Sequence, residues 1–201
     1  MISSSDISAV MDVVFPTGCI EQTFQEIKPN ISQQFKIAKA LNKNDVTDLL
    51  DYSDRKLLGD FNLILKTKKE YVSIWREAQY SFCLCEKKEP HILHSLIGFN
   101  FKKNLAILIK QIQGAKTMAL PYGWQPALIR SVINLGRKYD FSSVCMIQAE
   151  QCVYYFYPQG IHDPGKLKEL QARMRTVYDK NAERLGFKPE GKEGWHTYHL
   201  K

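Results

Sequence analysis

Long apolar runs are missing from this chain: nowhere do roughly 20 apolar residues follow one another, the length a helix needs to cross a bilayer. The N-terminus lacks the basic start and apolar stretch of a secretory signal, so the expected location is cytoplasmic. Cysteine is scarce and odd in number, with five residues (Cys19, Cys83, Cys85, Cys145, Cys152) in no disulfide-framework spacing, which suits a reducing compartment. Cys83 and Cys85 would share one face of a strand, yet no Cys/His pair at a metal-ligand spacing accompanies them, and no metal site is expected. There is no repeat, low-complexity tract or Gly/Ser linker to divide the chain. Also absent are a Gly-x-Ser-x-Gly elbow, His-Glu-x-x-His, a P-loop and a Cys/His triad spacing, and with them the chemistries those motifs carry. His162, His196 and His199 are scattered, and His196-Thr-Tyr-His199 is too isolated for a metal site.

What remains is an ordinary folding composition. With 201 residues, 44% hydrophobic and 11% aromatic, the chain can form one generous domain, or one domain with an N-terminal helical appendage. A net charge of +7 favours an anionic partner, whether nucleic acid, acidic protein, phosphorylated cofactor or anionic lipid. The cations are spread in small groups such as Lys87-Lys88 and Lys102-Lys103, however, which equally describes a solvated surface.

The first third reads as helical. Ile7, Val10, Val13 and Val14 recur at helical spacing over Ser5–Val14, a second pattern runs over Ile31–Leu41, and a short third over Asn44–Leu50. Residues 1–55 are therefore expected to form a helical segment packed on a core domain of residues 56–201.

The period then changes. Asp60–Leu65, Tyr71–Glu77, Tyr80–Glu86, His94–Asn100 and Leu105–Gln113 are rich in β-branched, aromatic and Leu residues and are parted by charged turns, as in consecutive antiparallel strands. Lys102-Lys103-Asn104 is a hairpin connection. A helix follows from Pro126, whose missing N–H costs nothing in the first turn, with Gly136 or Asp140 as its stop. Ser142–Ile147 reads as a short strand buried on both faces. Tyr154-Tyr155-Phe156-Tyr157 could stack nucleic-acid bases, but its place beside a buried strand favours core or pocket lining. Pro164–Leu185 is an amphipathic helix with Gly186 as its stop, and Trp195–Leu200 alternates as a last strand. The expected fold is α/β (α+β): a mixed, mostly antiparallel central sheet flanked by helices.

Hairpin, crossover helix, strand, helix and final strand, together with Leu185-Gly186-Phe187 after a tyrosine-bearing helix, resemble the GNAT (Gcn5-related N-acetyltransferase) fold over roughly the last 130 residues. A narrower set, Ile112-Gln113-Gly114, Trp124-Gln-Pro126, Tyr178-Asp179, Leu185-Gly186 and Gly194-Trp195, is similar to the VirK-type domain of unknown function, a family associated with virulence and envelope stress rather than a defined reaction.

The GNAT resemblance implies that acetyl-CoA or another acyl-CoA lies along Gln111, Ile112, Gln113 and Gly114, with Lys116 and Thr117 near its phosphates, and that its acyl group passes to an amine. It also implies a catalytic acid on the closing helix. The family's tyrosine position, four residues before the glycine, is Ala182 here, and Tyr178 lies one turn earlier, about 5 Å along the helix. Glu77, Glu150 and His94 are the candidate bases at strand ends. The family's glycine-rich pyrophosphate loop is replaced by a segment with prolines and only Gly114 and Gly123, which keeps open a non-catalytic binding or effector module with a protein or nucleic-acid partner.

Overall fold

The computed structural model describes residues 45–67, 78–89, 92–102, 105–114, 120–152, 155, 163–190 and 194–200. The helices expected at Ser5–Val14 and Ile31–Leu41 and the strand expected at Tyr71–Glu77 lie outside these residues. Asn44–Leu50, expected as a helix, contributes only a 3-10 turn, Thr47–Leu49, preceded by a bridge between Asp45 and Ile64. The difference is local chemistry: the Asp45 carboxylate accepts from both the backbone N–H and the hydroxyl of Thr47, which favours a turn over a helix.

The elements then run α1 (Tyr52–Leu57), β1 (Phe61–Thr67), β2 (Tyr80–Glu86), β3 (Leu93–Lys102), β4 (Ala106–Gly114), α2 (Trp124–Lys138), β5 (Ser143–Ile147), α3 (Pro164–Arg175), α4 (Asn181–Arg184), β6 (Lys188–Glu190) and β7 (Trp195–His199). Among the described residues the strands form one seven-stranded sheet in the order β1-β2-β3-β4-β5-β7-β6. Every neighbouring pair is antiparallel except β4 and β5, which are parallel because α2 carries the chain back between them. The mixed, mostly antiparallel sheet read from the sequence is the observed one. Strand β6 was not foreseen; it is three residues long, exposed, and holds Pro189, which sequence patterns count against a strand but an edge tolerates.

One face of the sheet carries the main core. Ile107, Ile109, Val144 and Met146 are essentially inaccessible and pack with Leu128, Ile129 and Val132 of α2. Gly136 stays glycine-small because a Cβ there would come within 2.5 Å of Leu200 and 3.4 Å of Val144. The helix therefore runs through Gly136 to Lys138, and the turn is made at Asp140 in left-handed backbone, φ 56°. β5 corrects an expectation: only Val144 and Met146 are buried, while Ser143, Cys145 and Ile147 on the other face are half-exposed.

The outer side of α2 is covered by residues 45–58. Arg130 grips the buried Asp54 with two hydrogen bonds, Nε at 2.8 Å and Nη2 at 2.5 Å, and Asn134 donates to the Leu49 carbonyl and to Asp51. Val46, Leu49, Leu50 and Leu58 complete the same core. Residues of α2 from Pro126 to Gly136 are accordingly buried on more than one side of the helix.

At Gly98 on β3 a Cβ would sit 2.9 Å from Ala78 Cβ and 3.2 Å from Gln111 Cβ. Gly98→Ala is therefore expected to cost about 1–3 kcal/mol by overpacking. Chemical denaturation checks this, and an unchanged midpoint would show that β3 and β4 yield freely there.

Candidate functional site

The parallel pair at the centre of the sheet does not close along its length. β4 pairs with β5 only from Ala106↔Ser143 to Ile109↔Met146, whereas its pairing with β3 continues to Gly114. The two registers part at one residue. Phe99 faces Ile109 and Gly98 faces Gln111, so Lys110 is an extra residue on β4, a β-bulge placed directly after its last partner on β5. A bulge bends its strand and increases the local twist, and here it directly follows the last β4 residue paired with β5 among the described residues.

A tyrosine enters that notch. The backbone N–H of Ile112 donates to the hydroxyl of Tyr178 at 3.1 Å, in a buried setting. Tyr178 arrives on a helical segment with three parts. Asp163 caps α3 by accepting from the N–H groups of Gly165 and Lys166, and Pro164 occupies the first position. The segment widens into a π-turn at Thr176–Lys180 and ends as α4. Gly186 (φ 85°) stops it with a Schellman pair, Phe187 N–H to Ala182 carbonyl and Gly186 N–H to Glu183 carbonyl. The single helix expected over Pro164–Leu185 is thus interrupted, and π-turns often accompany functional positions. The Thr176 hydroxyl and Asn181 amide bond the carbonyls of Ala172 and Val177, four residues back in each case.

Asp179, the next residue, holds the end of β5 to β7. Its Oδ1 accepts from the Ala149 N–H at 3.0 Å and lies 3.0 Å from Nε2 of His196. Consecutive helical side chains point about 100° apart, so the π-turn carries one residue into the notch and one to its rim.

The far end of β4 meets the start of α2. A Cβ on Gly114 would lie 2.9 Å from the Trp124 indole, so the ring packs against the strand end. Gly123 caps α2 in left-handed backbone, φ 96°, the Trp124 N–H is turned to the Pro121 carbonyl at 3.2 Å, and Pro126 has no N–H to give. Of the first three helical positions only Gln125 keeps a donor without such a constraint. Among the described residues, the helix entry does not form a cradle of backbone donors for a pyrophosphate.

The sequence-derived candidates are placed as follows. Gln111, Ile112, Gln113 and Gly114 lie together on β4 beyond the bulge, with the Gln111 amide donating to Gln113 at 3.0 Å. Tyr178 joins them. Glu150 lies in the 3-10 turn Ala149–Gln151, its carboxylate 58% exposed and 2.8 Å from the Arg175 guanidinium. His94 is buried toward the opposite edge, ring to edge with Phe61 and 3.1 Å from Glu86 Oε1. Glu77, Lys116 and Thr117 lie outside the described residues. Of the aromatic run, Tyr155 is described: it is buried, and the Arg175 guanidinium stands 5.6 Å from its ring centre. Sequence reasoning missed the Asp179–His196 pair, because 17 residues and a strand separate its members; the Tyr178-Asp179 dipeptide was its only visible trace.

A cavity of about 330 Å³ opens on the other face of the sheet, between Ala106, Leu108, Cys145 and Thr197. Burial raises the Cys145 thiol above its ordinary range, an effect the hydrogen bond from Thr197 only partly opposes. A raised thiol is a weak nucleophile at neutral pH.

No protein family's sequence profile matches the chain, and no curated protein does. The VirK-type likeness is therefore not shown. Among solved structures the chain is similar to the GNAT family N-acetyltransferase YhbS of Escherichia coli in complex with CoA, at 7% identity and a TM-score of 0.37, over 61% of this chain and 59% of that one. It is also similar to Tetrahymena GCN5, at 12% identity and a TM-score of 0.34, over 61% and 68% of the two chains. The chain thus spans 59% of the length of the bacterial enzyme. Likenesses this slight carry no activity across.

Proposed function

We propose that the notch between β4 and β5 takes an acyl-thioester ligand of the acyl-CoA class, acetyl-CoA being the simplest, and that the protein transfers the acyl group to an amine. The observation that carries this reading is the parting of the parallel pair after Ile109 and Met146, beside a bulge at Lys110. A thioester arm lying there would follow Gln111–Gly114, beyond the last β4 residue that pairs with β5. Bound there, the ligand supplies an activated acyl carbon and a sulfur leaving group. The chain's own part is to align that arm, keep water away with the Ile112 and Tyr178 side chains, and supply a proton: the Tyr178 hydroxyl, already a hydrogen-bonding group in the notch, is the proposed acid toward the departing sulfur. No cysteine is asked to carry the acyl group, in keeping with the raised Cys145 thiol on the other face.

A second reading is a binding module without catalysis. It is favoured by the α2 entry, where the Trp124 ring covers Gly114 and Pro126 removes a donor from the place a pyrophosphate would need one. The anionic macromolecular partner suggested by the charge of +7 belongs to this reading.

Thermal unfolding with acetyl-CoA decides whether the notch is used. Ligand at 100 times its dissociation constant adds about 2.7 kcal/mol, which raises the melting temperature of a chain this size by about 5–10 °C. No shift at millimolar acetyl-CoA or longer acyl-CoA removes the acyl-transfer reading; a shift without thiol release in the presence of amines selects the binding module.

A further inference from the structure

We propose that the cavity on the far face of the sheet is a binding site for a short zwitterionic peptide, two or three residues long, with a free amine and a free carboxylate.

The hollow is built by side-chain size. Strand pairing sets Lys102, Ala106, Ser143 and His199 in one row across β3, β4, β5 and β7, and Leu108, Cys145 and Thr197 in the next. Alternation turns these residues away from the face that carries Ile107, Val144 and Met146. Long side chains stand at the two ends, Lys102 on one side and His199 with Glu190 of β6 on the other, and between them come the small residues Ala106, Ser143, Cys145 and Thr197. The result is a cavity of about 330 Å³, at the small end of the ~300–1,000 Å³ usual for small-ligand sites. Its floor is buried: Ala106, Leu108, Trp195 and Thr197 are each at most 8% exposed.

Charge decides the occupant. The Glu190 carboxylate is held below the usual carboxylate range by His199, whose Nε2 lies 2.7 Å away, and by the Thr197 hydroxyl, so it is ionised at neutral pH. Lys102 brings the opposite charge from the other side, and both are felt at the floor. Burial raises the Cys145 thiol and hydrogen bonds from Thr197 and Ser143 oppose the rise; beyond these, Glu190 pushes the thiol up and Lys102 pulls it down. A ligand of one sign would meet a like charge at one wall, whereas a zwitterion meets an opposite charge at each.

The walls also set its length. Strands β3 and β6 stand four spacings apart in the sheet, about 19 Å between backbones, a span that the lysine and glutamate side chains close only in part. The two charges of a single α-amino acid lie too near one another to bridge what is left. An extended chain of two or three residues spans about 7–10 Å. The Ser142 and Ser143 hydroxyls can accept from its peptide N–H groups, and Leu108 and Trp195 offer its side chains an apolar surface.

Trialanine is the probe, and Cys145 is the reporter, since its thiol lines the cavity and is half-exposed. Alkylation of Cys145 by iodoacetamide, read by mass spectrometry of the digested full chain, should slow about threefold or more in saturating trialanine. N-acetyl-trialanine and trialanine amide, each lacking one charge, should bind about tenfold more weakly in calorimetry. Lys102→Met should erase the advantage of the free carboxylate, so that trialanine and its amide bind alike, and Glu190→Gln should erase that of the free amine. Capped peptides that bind the wild-type protein as well as trialanine does overturn the zwitterion assignment. No protection of Cys145 at about 10 mM trialanine, tenfold above a millimolar Kd, overturns the site itself. The capped peptides are compared on the wild-type protein, so the outcome stands even if a variant does not fold. Either result leaves the acyl-transfer reading to be decided by acetyl-CoA.

Discussion

Arg130→Met is expected to lower the folding stability by about 3–5 kcal/mol, the largest loss from any single change considered for this chain. Asp54 is 2% exposed, and both its carboxylate oxygens are held by the Arg130 guanidinium. Removing the arginine leaves a buried carboxylate without the guanidinium that offsets its lost hydration. Removing Asp54 instead leaves Arg130, which is 33% exposed and can turn to water, so the loss should be smaller. The double variant Asp54→Leu, Arg130→Met, which removes both charges, should recover most of the loss, since a buried pair is worth little against an apolar replacement. Urea unfolding of the four proteins measures this cycle. A loss under about 1 kcal/mol for Arg130→Met would mean that residues 45–58 do not depend on this pair to hold α2.

Tyr178→Phe should separate a structural effect from a catalytic one. Without the hydroxyl the buried Ile112 N–H has lost its acceptor, a deficit of about 1–3 kcal/mol. If Tyr178 is also the acid, acyl transfer should fall by about 10²–10⁴ while acyl-CoA still binds. Measuring thiol release beside ligand-induced stabilisation distinguishes the two. A variant that is destabilised yet transfers at the wild-type rate leaves Tyr178 with the Ile112 contact alone.

The position of Tyr178 shows where sequence reasoning stopped. A straight helix places it one turn, about 5 Å, from the family's tyrosine position, now occupied by the fully buried Ala182. That distance took no account of the π-turn at Thr176–Lys180, within which the hydroxyl reaches β4. A π-turn has no reliable sequence signal, because it is stabilised by what the displaced side chains find on the sheet. The bulge at Lys110 is similar: a lone lysine among Ile109, Gln111 and Ile112 looks like ordinary alternation until the register with β3 is known. The stop at Gly186 was legible, since a left-handed position after a helix is a local demand that glycine meets best.

The mixed and mostly antiparallel character of the sheet, and the approximate places of its described strands other than β6, followed from the sequence alone, because periodicity, turn residues and caps act over a few neighbouring positions. Tertiary structure alone decided that β4 and β5 part at Lys110, that Tyr178 enters the gap, that β5 is buried on one face only, and that Asp179 meets His196. Those features depend on registers and contacts between residues distant along the chain. Nothing local to either partner encodes the meeting.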